Sequence, residues 1–230
     1  MKKKISKRFK KLVESLEEKK ITNFDDAIKK IKKNCTTKFD ESIDVSLNFN
    51  LKQKKEEITL RTAIKLPNGN GKKVKVAVLC EESKNQEAKE SGADLYDSES
   101  LINDITDGKI KFDTLVATPA MMPKMGKLGK ILGPKGLMPN PKLGTVTSNI
   151  KDIVKALKSG QIEVKSDKDG NVGASIGKKS FSDEKIKVNY DFLISSLSKE
   201  KPANIKGIFF NSAFLTSTMG VSFKLKLDKI

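Results

Sequence analysis

The spacing of apolar and polar positions changes several times along the chain, and each change marks an element. Residues 6–18 and 23–34 repeat at helical spacing. In the second stretch Phe24, Ala27, Ile28 and Ile31 fall on one face. Thr22, with Asp25 three residues on, resembles a capping box. From Ser42 the period becomes two. Ile43, Val45, Leu47, Phe49 and Leu51 alternate with polar residues, and so do Ile58, Leu60, Thr62, Ile64 and Leu66. This predicts two half-buried strands of an antiparallel sheet. Pro67-Asn68-Gly69-Asn70-Gly71 interrupts the pattern. Val74, Val76 and Val78 then predict a short strand. Helix-like and strand-like pieces follow in turn: a helix at 83–91 before Gly92, a strand near Leu95, a helix at 98–107 before Gly108 and a strand at 114–118. That order predicts βαβ units and a small parallel sheet. A helix near 121–131 leads into a loop, and a helix at 148–159 runs from a Ser148 cap to a Gly160 stop.

After Gly160 the antiparallel style returns. Residues 161–165 and 172–176 flank Asp169-Gly170, a hairpin signal. A helix at 183–198 begins after Ser182 with Asp183 and Glu184 in its first turn, where acids suit the helix dipole. Strands near 207–215 and 221–227 close the chain. The predicted architecture is an α+β split domain, an antiparallel sheet with helices, built from 1–67 and 160–230. An α/β domain with a small parallel, Rossmann-like sheet is inserted at 68–159. The two connections, with Pro67, Gly69, Gly71 and Gly160, form a double hinge in this reading.

Charge sharpens the picture. The chain has 46 Lys+Arg against 29 Asp+Glu, a net +17. Such an excess argues for a polyanionic partner and says nothing about fold. It is uneven: 1–66 with 160–230 nets +13 and the insert nets +4. Within the insert, 81–113 is acidic and 114–159 is basic. Only Arg8 and Arg61 are arginine, so most of the basic surface consists of lysine point charges. There is no histidine, which removes the usual general base and the commonest zinc ligand. Cys35 and Cys80 make no metal-spaced motif and read as buried thiols in a reducing compartment. No apolar stretch approaches a membrane span, and the basic N-terminus lacks the apolar run of a signal peptide. The composition predicts a soluble, cytoplasmic protein with no cofactor. A nucleotide-dependent enzyme built on the inserted domain is the main alternative. Against it, Gly69-Asn70-Gly71-Lys72-Lys73 is only part of a phosphate loop, and Gly126, Gly129 and Gly133 do not fit the dinucleotide fingerprint. A structural protein held to anionic membranes by lysine lacks an amphipathic basic helix beyond the short N-terminal segment.

One window stands apart. Residues 128–147, LGKILGPKGLMPNPKLGTVT, hold four glycines, three prolines, three lysines and no acid. A long, stiff, basic loop inside a compact chain is uncommon, and long loops tend to be functional or disordered. This pattern resembles the signature of the large-subunit ribosomal protein L-one family, bacterial type. Phe39-Asp40-Glu41-Ser42, Leu66-Pro67-Asn68-Gly69, Ala117-Thr118-Pro119 and Ser217-Thr218-Met219-Gly220 fall in that family's order and spacing. The resemblance covers nearly the whole chain. There are departures: Val221 follows Gly220 where the family has a proline shortly after, Asn68 replaces a histidine, and Thr62 replaces a glycine.

The resemblance implies a structural protein of the ribosome's mobile lateral stalk. Its split domain would bind folded large-subunit rRNA through shape and backbone, and the insert would form the stalk's outer part. Implied partners are large-subunit rRNA, exit-site tRNA and the protein's own operon mRNA, with no membrane, no catalysis and a monomeric free state. Residue by residue, Lys38, Phe39, Ser42, Lys165, Lys168, Lys206, Ser212, Ser217, Thr218, Met219 and Gly220 match RNA-facing positions. Each has a plainer alternative. Ser217 to Gly220 could be only a tight turn, Phe39 could cap the core, and each lysine could be solvated surface. The functional reading of the turn is that short hydroxyls and free backbone amides give sugar and phosphate a close approach.

Overall fold

The computed structural model describes residues 6–14, 22–49, 60–97, 99–201 and 208–227. Lys206, residues 15–18 of the first predicted helix, and the apolar positions Leu51 and Ile58 lie outside these. In chain order the elements are α1 (Lys7–Glu14), α2 (Phe24–Asn34), β1 (Ser42–Phe49), β2 (Arg61–Lys65), β3 (Val76–Leu79), α3 (Asn85–Glu90), β4 (Leu95–Asp97) and α4 (Glu99–Thr106). Then come β5 (Thr114–Ala117), α5 (Met122–Gly126), α6 (Gly129–Leu132), α7 (Ile150–Lys158), β6 (Gln161–Lys165), β7 (Asn171–Lys178), α8 (Asp183–Lys199), β8 (Phe210–Ser217) and β9 (Phe223–Leu225). The chain divides into two compact units, residues 1–71 with 162–230 and residues 72–161.

In the first unit a four-stranded sheet has the order β7-β1-β8-β9. The pairs β1–β7, β1–β8 and β8–β9 are all antiparallel, with Ser46 opposite both Gly173 and Phe214. The period-two pattern of β1 has the expected result: Ile43, Val45, Leu47 and Phe49 are buried, and the residues between them are not. Their face packs against α2, through Ala27, Ile28 and Ile31, and against α8, through Ile186, Leu193, Ile194 and Leu197. Burying each large aliphatic side chain contributes roughly 1.5–3 kcal/mol. β2 pairs with β6 in a separate two-stranded sheet whose Ile64, Ile162 and Val164 join the same core.

The second unit is a three-layer sandwich. Its parallel sheet has the order β4-β3-β5. All four residues of β3 are buried because both faces are covered. Ala77 and Leu79 face Leu101, Ile105, Met121, Met125, Leu128 and Leu132. Val76 and Val78 face Ala88 of α3 and Ile150, Val154 and Leu157 of α7.

Several local expectations change. Thr22 does not cap α2. Its N–H bonds to Lys224 O and its carbonyl accepts from Lys226 N, so it is held beside β9, and Asn23 takes the N-cap position. Ser148 does not cap α7 either. Thr147 Oγ1 accepts the Asn149 N–H at 3.1 Å, and the helix starts after Asn149. The helix expected near 121–131 breaks into α5 and α6, flanked by Gly126 and Gly129, which weaken a helix interior. At Asp169-Gly170 the chain reverses as expected. Gly170 has φ +76°, and Asp167 Oδ1 accepts the N–H groups of Asp169 and Asn171. The two arms do not form a hairpin ladder, however. They share one bridge, Ser166 with Val172, and then each joins a strand from the N-terminal half. The strand expected at 58–66 likewise pairs with β6 and not with β1.

Candidate nucleic-acid interface

The start of β1 and the end of β8 lie side by side, because antiparallel register places Ile43 opposite Ser217. The ladder extends one step into the turn. Thr218 N donates to Ser42 O at 3.1 Å, and Ser42 N donates to Thr218 Oγ1 at 3.0 Å. Gly220 N closes the turn on Ser217 O. Below it sits Glu41, which is 0% exposed. Its Oε2 accepts the Met219 N–H at 3.1 Å, and its Oε1 accepts the Thr37 hydroxyl at 2.7 Å. Burial pushes the Glu41 pKa up. The hydrogen bonds from Thr37 and the Met219 backbone, with the Ser217 hydroxyl close by, outweigh that and hold it below its ordinary value, so the carboxyl is ionised near neutrality. Arg8, on α1, donates to Met219 O at 2.5 Å and to Thr36 Oγ1 at 3.1 Å.

The residues before β1 are pinned in the same way. Asp40 accepts both the N–H and the hydroxyl of Ser180, and Lys179 N donates to Glu41 O. On this fixed backbone two large apolar side chains stand out: Phe39 is 52% exposed and Met219 is 49% exposed. The Glu41 carboxylate ties together the two segments that carry them. Ser217 points the other way. It is 3% exposed, and its Oγ has no hydrogen bond of good geometry, although it lies beside the Glu41 carboxylate and the Cys35 thiol and helps lower the pKa of each. Burial still leaves the Cys35 thiol pKa raised overall.

The structure therefore brings Lys38, Phe39, Ser42, Thr218, Met219 and Gly220 together. Ser217 lies beneath them, so its hydroxyl is not a surface group as the sequence suggested, and the Thr218 hydroxyl is engaged by Ser42. Ser212 lies further along β8, opposite Asn48, on the sheet face away from the helices. That face also carries Asp44 and a ladder in which Asn211 donates to Asn48 at 3.0 Å and Asn48 to Asn171 at 2.7 Å. Burial raises the pKa of Asp44, and a hydrogen bond from Ser175 only partly offsets it. Lys165 and Lys168 are exposed, on β6 and in the reversal after it. Of the proposed hinge positions, Gly69, Gly71 and Gly160 have φ of +65°, +73° and +99°, and Pro67 is exposed. The Asn68 N–H is bound to Asn189 Oδ1. Glu41, Arg8 and Asp44 are the residues that sequence reasoning missed. Glu41 lay inside a quoted motif, but nothing local shows that it reaches Met219.

None of this is catalytic machinery. Among the described residues no group of His, Cys, Asp or Glu could hold a metal ion, and no helix is long and apolar enough to cross a membrane. A groove of about 650 Å³ in the second unit, lined by Ile102, Pro123, Leu128 and Ile131 with Thr106, Lys124 and Lys127, has no carboxylate, thiol or imidazole in its lining. The first unit instead presents a polar sheet face, an anchored turn and exposed lysines. Comparison with known proteins then gives the family. The profile of the ribosomal protein L1p/L10e family matches residues 28–221. The chain is 52% identical to large ribosomal subunit protein uL1 of Pelagibacter ubique, over 97% of this chain and 98% of that one. It is 44% identical to uL1c of Phaeodactylum tricornutum, over 98% of each, and 42% identical to uL1 of Neisseria meningitidis, over 99% and 98%. The chain belongs to the ribosomal protein L1p/L10e family, and it is a structural ribosomal protein, not an enzyme.

Proposed function

We propose that the unit formed by residues 1–71 and 162–230 binds a folded segment of large-subunit rRNA, and that the whole chain forms part of the mobile stalk of the cytoplasmic ribosome. The observation that carries this is the Glu41-anchored turn, which holds Thr218, Met219 and Gly220 beside Phe39 on a rigid backbone. The unit's sequence supplies 31 basic and 18 acidic residues. Lysines such as Lys38, Lys165 and Lys168 attract the phosphates. The turn gives the close fit, with half-exposed Met219 and Phe39 available to stack or pack on ribose and base. As a stalk protein the chain also acts in releasing deacylated tRNA from the exit site, and it represses its own operon mRNA by binding a similar RNA structure. It is monomeric when free.

The test is a salt titration with the whole protein. Binding of a stalk rRNA transcript is compared with binding of an unrelated duplex at several salt concentrations. Purely electrostatic binding falls with a log–log slope of roughly −0.7 to −0.9 per neutralised phosphate. Contacts through the turn release no counterions, so the unrelated duplex is expected to lose affinity faster than the stalk transcript as salt rises. Parallel slopes with similar affinities would leave only a generic basic surface.

A further inference from the structure

The turn after β8 is held by groups far away in sequence, and they hold one residue from both ends. The Met219 N–H is bound by the buried Glu41 carboxylate, and the Met219 carbonyl is bound by the Arg8 guanidinium. Both bonds involve an ionised group, and charge-assisted bonds are about twice as strong as neutral ones. Arg8 is one of only two arginines in the chain, and the other, Arg61, pairs with Glu163. Gly220 raises a related question. Its φ lies outside the left-handed region, so backbone angle does not call for glycine. A Cβ there would sit 2.3 Å from Ser217 Oγ, a contact that cannot be sustained. Ser217 is 3% exposed, so its hydroxyl must turn within a packed setting to make room.

We propose that Glu41 and Arg8 are positioning residues that clamp the Met219 peptide groups and so fix the turn in an RNA-ready shape, and that position 220 is glycine because Ser217 lies beneath it. This rests on the reading that the turn meets RNA. Glu41 touches no RNA in this account, and its role is exerted through Met219. The clamp explains how a four-residue turn with half-exposed Met219 keeps one conformation in the free protein. Binding then spares the entropy of ordering it.

The experiment uses the full chain with two readouts: exchange of the Met219 amide hydrogen in the free protein, and dissociation of a stalk rRNA transcript. Glu41→Ala is expected to speed both by roughly tenfold, the usual effect of stranding a hydrogen-bond partner. Glu41→Gln, whose amide oxygen can still accept the Met219 N–H but without the charge, should fall between wild type and Glu41→Ala in both. Arg8→Ala, at an exposed side chain, should speed dissociation severalfold with an unchanged melting temperature, which keeps the test open if Glu41→Ala does not fold. Gly220→Ala should weaken binding, and Ser217→Ala in the same chain should restore it to the level of Ser217→Ala alone. Unchanged Met219 exchange in Glu41→Ala, or unchanged dissociation in Arg8→Ala, would overturn the clamp. A double variant as weak as Gly220→Ala would mean that the added methyl meets RNA directly. If the wild-type chain does not bind the transcript, the RNA reading fails, and the exchange rates still decide whether the clamp exists.

Discussion

Replacing Asn189 with alanine should destabilise the first unit more than almost any other polar substitution. Asn189 lies in the interior of α8 and is fully buried. Its Oδ1 accepts the Asn68 N–H at 3.1 Å, and its Nδ2 donates to Gly69 O at 2.8 Å and to Ile176 O at 2.7 Å. One side chain thus fastens the Pro67-Asn68-Gly69 turn to both α8 and β7. Alanine leaves three backbone groups without that partner. Water can reach the two that are partly exposed, so a net loss of about 1 kcal/mol per hydrogen bond is appropriate, or about 3 kcal/mol in all. At 2–4 °C per kcal/mol for a chain of this size, the melting midpoint should fall by about 6–12 °C. Calorimetry of the whole protein measures the midpoint, and amide exchange reports the Asn68 N–H directly. A shift below about 2 °C, or an Asn68 amide as protected as in wild type, would refute the claim that Asn189 holds the turn.

Two further outcomes follow from the shifted groups. Burial raises the Asp44 pKa above 3.8. The native state therefore binds a proton more readily than the unfolded one, and stability falls as pH rises through that interval. Asp44→Asn should raise the urea midpoint at pH 7 and bring no gain below about pH 3.8; a gain that persists in acid would point to some cause other than the charge. Cys35 and Cys80 are both buried thiols with raised pKa values. A disulfide reagent at pH 8 should label them only slowly in the folded protein and rapidly in urea, and fast native labelling of Cys35 would contradict the packing beneath the turn.

What the sequence makes legible is what local spacing encodes. The alternation through Ile43, Val45, Leu47 and Phe49 fixes which face of β1 is buried, and the four-residue apolar run of β3 reports a strand covered on both sides. Pairing is another matter. Asp169-Gly170 predicts a reversal correctly, because Gly170 does adopt positive φ, but it says nothing about which strands the two arms join. The Thr22 cap fails because β9 engages the Thr22 backbone, and the Ser148 cap because α7 starts one residue later, after Asn149, whose N–H goes to Thr147 Oγ1. The candidate interface shows the same division. Ser217-Thr218-Met219-Gly220 is visible as a motif. Its supports are not, because Arg8 is 211 positions from Met219 and Glu41 is 178. Asn189 did carry a signal, as a poor helix former placed among apolar residues in a helix interior.

The order of strands also governs how the chain can be made. β1 is the middle strand of its sheet pair, yet Ser46 meets Phe214 only after 168 further residues have been synthesised. Its other edge waits 127 residues for Gly173, and until then both edges are open, with Ile43, Val45, Leu47 and Phe49 uncovered. The parallel sheet of residues 72–161 needs nothing outside that span and can close before residues 162–230 have emerged. Nascent chains should therefore acquire a folded middle before either end, with β1 waiting as an exposed edge strand for a chaperone to shield.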